Sequence, residues 1–205
     1  TTAYVALHAD DDFLITTATE SCIDRLESDA ACAAVKGQIA FCIVNKEAKI
    51  TGDLQDGYPR FEDDRAARTL NHVASFSPTL YAVHRREVFV SAYRTALAQN
   101  PNVIFWQYLG SAWTVAAGHV AVINELFYIR EFNPIGWRAK LVDGKDPTHW
   151  PYLVTAPDFS SQLATFRQHL AEGLAGDVSQ LQALEMAATD ACLYLVSRAM
   201  GGGST

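Results

Sequence analysis

The chain has no apolar run approaching the ~18 residues that a membrane-crossing helix needs, and no basic start with an apolar core marks a signal peptide. Positive charge is scarce: 16 Lys and Arg stand against 23 Asp and Glu, for a net charge of −7. Coating a phosphate backbone takes clustered cations, so nucleic-acid binding is not expected. An acidic protein that handles nucleotides does so through a metal. Cysteine is sparse: Cys22, Cys32, Cys42 and Cys192 form no C-x-x-C pair and match no zinc spacing. They read as reduced, semi-buried thiols, which points to a cytoplasmic setting. Repeats and low-complexity segments are missing apart from the tail, Gly201 to Thr205, which resembles a linker or tag remnant. Little precedes the first strand, although a parallel strand needs neighbours on both sides, so an upstream segment is expected.

What is present begins with acids. Asp10-Asp11-Asp12 close the apolar run Tyr4-Val5-Ala6-Leu7 and are followed at once by Phe13-Leu14-Ile15. This reads as a buried strand whose carboxyl end carries a carboxylate cluster. Open α/β sheets place their ligand sites at such strand ends. Grouped carboxylates are hard oxygen ligands for Mg²⁺ or Mn²⁺, which in turn hold phosphates.

At 205 residues and 49% hydrophobic, the chain can bury one core, as a single domain or a domain with a helical appendage. A helix is predicted from Thr16 or Thr17, as cap, to about Ala30, with Glu20 as capping partner and Cys22, Ile23 and Leu26 as its apolar stripe. Val35 to Val44 reads as a strand interrupted by Gly37, and the polar stretch Asn45 to Asp64 as a loop over the surface. Arg65 to Val73 reads as a short helix, and Thr79 to Val83 as a strand. Helices follow from Arg86 to Gln99, stopped by Asn100-Pro101, and from Val103 to Ala117, closed by Gly118 as a left-handed cap. His119–Ile123 and Leu126–Ile129 read as strands, Phe159–Glu172 and Asp177–Arg198 as two C-terminal helices. This alternation predicts an α/β fold with a mixed sheet.

The ordered segments resemble GT-A-fold glycosyltransferases, in particular the family-2-like bacterial enzymes with a D-D-D-F run. Asp10-Asp11-Asp12-Phe13 corresponds to the DXD region, and Cys22 to Ser28 to the helix after it. Val35-Lys36-Gly37 corresponds to a "V-x-G" strand, Leu80 to Arg85 to a "Y-A-V-x-R" strand. Gly118-His119-Val120 with Leu126 to Glu131 corresponds to a "G-K-V…L-x-x-I-R-E" hairpin. The similarity covers about Tyr4 to Asn133. It implies a partial GT-A α/β portion over residues 1–135, a helical extension packing on it over 136–200, and a linker remnant over 201–205.

The resemblance also implies an activity: transfer of a sugar from a nucleotide-sugar donor to an unknown acceptor hydroxyl, with Mn²⁺ or Mg²⁺ as cofactor. Asp12 would be the metal ligand; Asp10 would share the metal or face the donor's ribose, with Asp11 a lesser neighbour. His149, in Asp146-Pro147-Thr148-His149-Trp150, is a candidate late metal ligand, set against the ordinary role of a loop histidine as polar surface. The family's base is an acid on the helix before "G-K", and Gln107 stands where that acid is expected. An amide accepts no proton at neutral pH. Glu131, Glu125 and His84 are the alternatives. The nucleotide-binding half that precedes the DXD strand is also not in this sequence.

Plainer readings stand beside these. Three acids after a strand can be a solvated turn, and Glu62-Asp63-Asp64 a helix start favoured by the macrodipole. His72, His119 and His169 read as structural, Trp106, Tyr108 and Trp113 as core. Trp137, near Arg138, is a packing residue or a stacking face for an acceptor sugar. Arg130-Glu131 reads as an ion pair bracing the site. Two other functions compete. One is a haloacid-dehalogenase-like phosphatase, against which Leu14 stands where Thr or Val is wanted. The other is a non-catalytic binding or assembly module derived from a truncated transferase, whose C-terminal helices suit pairing with a partner chain or a second copy.

Overall fold

The structure is a computed structural model that describes residues 2–10, 12–44, 50–55, 59–99, 102–131, 156–175 and 178–201. It is an α/β fold with one mixed sheet and, among the described residues, six helices. The strands are β1 (Tyr4–Ala6), β2 (Phe13–Leu14), β3 (Cys32–Val44), β4 (Ile50–Gln55), β5 (Val83–Arg85) and β6 (His119–Glu131). The helices are α1 (Thr16–Ser28), α2 (Arg65–Ala74), α3 (Arg86–Gln99), α4 (Val103–Ala117), α5 (Phe159–Leu174) and α6 (Val178–Gly201).

The sheet runs β1-β5-β3-β6-β2, with β4 also on β3. Among the described strands only β3 and β6 pair in parallel; β1, β2, β4 and β5 each pair antiparallel to a neighbour. The opening strand therefore differs from expectation. Rather than a buried parallel strand, β1 is a half-buried, antiparallel strand at the sheet edge, fixed by Tyr4, Val5 and Ala6 against Arg85, His84 and Val83.

The β3/β6 pair is the backbone of the fold, and its irregularity has a steric cause. Between the pairs Lys36↔Val122 and Gln38↔Leu126, β3 uses one residue, Gly37, while β6 uses Ile123, Asn124 and Glu125. A Cβ on residue 37 would run into the Glu125 carbonyl oxygen and lie 2.6 Å from Phe127 Cβ. Glycine thus permits a bulge that lets one strand continue. The polar gap read as the turn of a hairpin is this bulge, and His119 to Glu131 is a single strand.

Other boundaries moved for local reasons. The predicted loop from Asn45 to Asp64 contains β4, whose pairing partner is the far half of β3. The strand predicted at Thr79 begins only at Val83, because the Ala82 N–H turns back onto the Thr79 carbonyl at 2.9 Å. Helix α1 begins after Ile15 with no side-chain cap; the Thr19 hydroxyl and N–H both return to the Ile15 carbonyl. Gly118 is extended, not left-handed, at φ 175°. It is needed for close approach, since a Cβ would meet the Ala31 carbonyl oxygen and lie 3.2 Å from Ala33 Cβ.

The core has two main parts. Ala18, Cys22 and Leu26 of α1 bury one sheet face against Val35, Ala121, Phe127 and Tyr128. On the helical side Val73, Phe105, Leu109, Ala112, Phe166, Leu170 and Ala188 form a core shared by α2, α4, α5 and α6. The C-terminal helices thus pack on the middle of the chain. Buried Arg68 ties the same region together: its Nε donates to the Val115 carbonyl at 2.8 Å and its Nη1 to the Glu62 carbonyl, so a cation sits at the negative end of α4. Asp64 caps α2, its carboxylate accepting from Ala67 N. All four cysteines are buried as thiols, and burial pushes Cys22 and Cys192 up to about 12, away from reactive thiolate. No described helix is long and apolar enough to cross a membrane.

Candidate functional site

Asp10 and Asp12 lie on the connection from β1 to β2. The chain turns at Ala9–Asp12, closed by Asp12 N–H donating to the Ala9 carbonyl at 3.3 Å. Asp10 sits on this turn and is exposed. Asp12 points inward, with only 2% of its side chain accessible.

What receives Asp12 is a pair of residues on β6. The Tyr128 hydroxyl donates to Asp12 Oδ2 at 2.8 Å and accepts the Ala9 N–H at 3.1 Å. One phenol therefore pins both ends of the acid turn. Pairing of Leu14 with Tyr128 across β2 and β6 fixes the register, and strand alternation places Arg130 on the same face as Tyr128. The Arg130 Nε lies 3.9 Å from Asp12 Oδ2, while its guanidinium carbon stands 5.3 Å over the Tyr81 ring. Tyr81 and Tyr128 have ring centroids 5.3 Å apart. Burial is the main reason that the Tyr128 phenol holds its proton more tightly than a free tyrosine, and the bond to Asp12 acts in the same direction against the Ala9 N–H. It remains a donor to the carboxylate throughout the neutral range.

Several sequence candidates do not join this cluster. Asp11 and His149 lie outside the described residues, as do Trp137 and Arg138. Glu131 ends β6 opposite Cys42, and its side chain is likewise outside them. Gln107 is half-buried on α4, and no hydrogen bond among the described residues links it to Asp10, Asp12, Tyr128 or Arg130. Its neighbours Trp106 and Tyr108 pack against Tyr93 and Phe76. Glu125, exposed on the bulge, accepts from the Ser21 hydroxyl at 3.1 Å. His84 is buried, donates Nε2–H to the Thr79 carbonyl at 2.7 Å, and is lowered to about 4 by burial. It is a neutral core histidine rather than a base at neutral pH.

Tyr81 and Tyr128 are absent from the sequence-based site; Arg130, expected to brace it through Glu131, whose side chain lies outside the described residues, is paired instead with Asp12. The i, i+2 spacing of Tyr128 and Arg130 on a strand was the available signal; Tyr81 carried none, because only the fold brings it beside β6.

A second polar cluster is basic and buried. Lys36 on β3 donates Nζ to the Ser77 hydroxyl at 2.5 Å and, more weakly, to the Pro78 carbonyl. Arg60 donates to the carbonyl and hydroxyl of Ser75. His72 is buried with Nε2 unpartnered. Burial, with Arg60 as a second cause, lowers Lys36 to about 8 and His72 to about 3. A concavity of about 440 Å³ along α3 and α4 is lined by Val88, Ala92, Thr95 and Trp113 among others and includes no residue of the acid turn. Arg65 and Glu87 also line it, but the Arg65 guanidinium donates to the Gly173 carbonyl and makes no ion pair with Glu87 among the described residues.

Among the described residues no group of three His, Cys, Asp or Glu is placed to hold a metal ion. Compared with known proteins, the chain matches no family model and no curated sequence.

Proposed function

We propose that the chain is the catalytic-side portion of a metal-dependent, nucleotide-sugar-using glycosyltransferase of the GT-A type. The observation that carries this reading is the juxtaposition, at one strand end, of an exposed carboxylate (Asp10), an oriented carboxylate (Asp12) and a half-exposed arginine (Arg130). Carboxylates suit a hard divalent cation and the guanidinium suits a phosphate, and a diphosphate-sugar brings both needs together. The residues fit Mg²⁺ or Mn²⁺ in the manner in which one or two protein carboxylates are completed by phosphate oxygens and water. A three-ligand protein cage is not required.

On this reading Asp12 and Asp10 would hold the cation, which supplies charge neutralisation of the leaving diphosphate. Tyr128 keeps the Asp12 carboxylate aimed by donating to it, and Arg130 adds a positive charge beside the leaving group. Removal of the acceptor's proton needs a base, and Gln107 cannot supply it. That substitution favours the second reading, a binding or assembly module that retains the donor-type site without transfer.

Titration with Mn²⁺ and UDP, followed by calorimetry, tests the proposal. The protein is expected to bind the pair, and Asp12→Asn to weaken binding at least about tenfold. Asparagine is the better variant than alanine, because it still accepts from Tyr128 and so keeps the turn folded. An unchanged affinity in Asp12→Asn would remove Asp12 from the site. Binding without sugar transfer across a panel of UDP-, GDP- and dTDP-sugars would select the binding module.

A further inference from the structure

We infer that Arg130 is a latch on the acid turn, holding Asp12 while no cation is bound and turning to the diphosphate when one arrives; the inference rests on the reading of Asp12 as the cation ligand. Three observations support it. First, at 3.9 Å the Arg130 Nε is too far from Asp12 Oδ2 for a hydrogen bond, so the pair is electrostatic and leaves the guanidinium's N–H donors uncommitted to that carboxylate. Among the described residues no side-chain hydrogen bond of Arg130 is found, its backbone being held in the β3/β6 ladder. Second, its side chain is 43% exposed whereas that of Asp12 is 2% exposed. The cation of the pair can swing into solvent and the acid cannot. Third, Arg130 rests on the Tyr81 face, and Tyr81 leans on Tyr128. The ring pair gives the guanidinium a seat from which it can leave without breaking a hydrogen bond.

These features separate the hydrogen bond and the ionic contact that Asp12 makes with β6. Tyr128 orients the carboxylate and is compatible with a bound cation, since it neutralises no charge. Arg130 is not compatible in its present place, since a divalent ion at Asp12 would meet a positive charge within about 4 Å. Displaced, the same guanidinium offers a planar fork that matches a phosphate. Arg130 is thus a positioning residue that couples cation binding to diphosphate binding.

The latch predicts opposite effects on two measurements. In calorimetric titrations of the whole chain, Arg130→Gln is expected to bind Mn²⁺ alone several-fold more tightly than the parent, because the competing charge is gone. The factor by which UDP tightens Mn²⁺ binding is expected to fall about tenfold, because the fork is gone. Arg130→Lys keeps the charge without the fork, so it should match the parent with Mn²⁺ alone and lose part of the UDP coupling. If both variants equal the parent in both titrations while the parent binds, the latch is wrong and the assignment of the site stands. If neither the parent nor Arg130→Gln binds Mn²⁺ with or without UDP, the latch and the assignment both fall. Should Arg130→Gln not fold, the Arg130→Lys comparison decides alone.

Discussion

Strand β6 passes two charged clusters, one beside Val122, where Lys36 is its partner on β3, and one eight residues on at Arg130. At the first, Lys36, Arg60 and His72 are all buried, and Lys36 and Arg60 donate to the hydroxyls of Ser77 and Ser75 and to nearby carbonyls. At the second, the buried member is an acid, its cation is half in solvent, and a tyrosine holds the acid in place. Burial shifts Lys36 and His72 toward their neutral forms, which suits a strut between sheet and helix. The acid keeps a partner that can move, which suits an exchange of ligands. The same strand thus carries a buried basic cluster that resists protonation and an acid whose cationic partner is half in solvent.

The sharpest way to break this comparison is acid. His72 and His84 ordinarily titrate at 6.5 and fall to about 3 and about 4 in the fold. Both are fully buried. Below pH 6.5 the unfolded chain takes up these two protons and the folded chain does not, so stability is complete above that pH and declines as pH drops toward 4. Each histidine contributes a slope of about 1.4 kcal/mol per pH unit in that window. Urea midpoints measured from pH 7 to pH 4.5 should show the combined slope, and His72→Leu should reduce it to that of one proton. A pH-independent midpoint would mean that neither imidazole is sequestered.

Lys36 gives the next effect, with the same direction in pH but in an alkaline window. Its folded value of about 8 lies below the ordinary 10.5. The folded state holds the charged form at a penalty below pH 8, and stability rises as pH climbs from about 8 to 10.5, where the unfolded chain retains the proton longer. Lys36→Met should therefore be more stable than the parent by about 1–3 kcal/mol at pH 7, with the advantage gone near pH 10.5. Chemical denaturation at the two pH values checks it; a destabilised variant at pH 7 would show that the Ser77 bond outweighs desolvation.

The smallest effect belongs to the acid turn. Tyr128→Phe removes the donor to Asp12 and the acceptor for Ala9 N–H, at about 1–2 kcal/mol. Hydrogen exchange at the Ala9 amide should speed up accordingly. An unchanged exchange rate would show that the turn holds without the phenol.

Much of the framework was legible in the chain. Helices α2, α3 and α4 fall within a residue or so of their predicted spans, because apolar spacing, the Asp64 cap and the Asn100-Pro101 stop act locally. Where local signals misled, a non-local contact had decided. Gly118 reads as a cap but serves the approach of Ala31 and Ala33; Asn124-Glu125 reads as a turn but is a bulge beside Gly37. For the site, the acids announced themselves, whereas Tyr81 and Tyr128 did not, since tyrosines in apolar strands look like core.

By itself the sequence determined the alternation of elements, the α/β class and the place of a carboxylate cluster beside the first strand, all properties of short stretches with their own periodicity and charge. Only the tertiary structure decided what Asp12 faces. Residues 116 and 118 positions further along the chain reach it because β2 pairs with β6, and strand register, not local composition, chooses which side chains share a face.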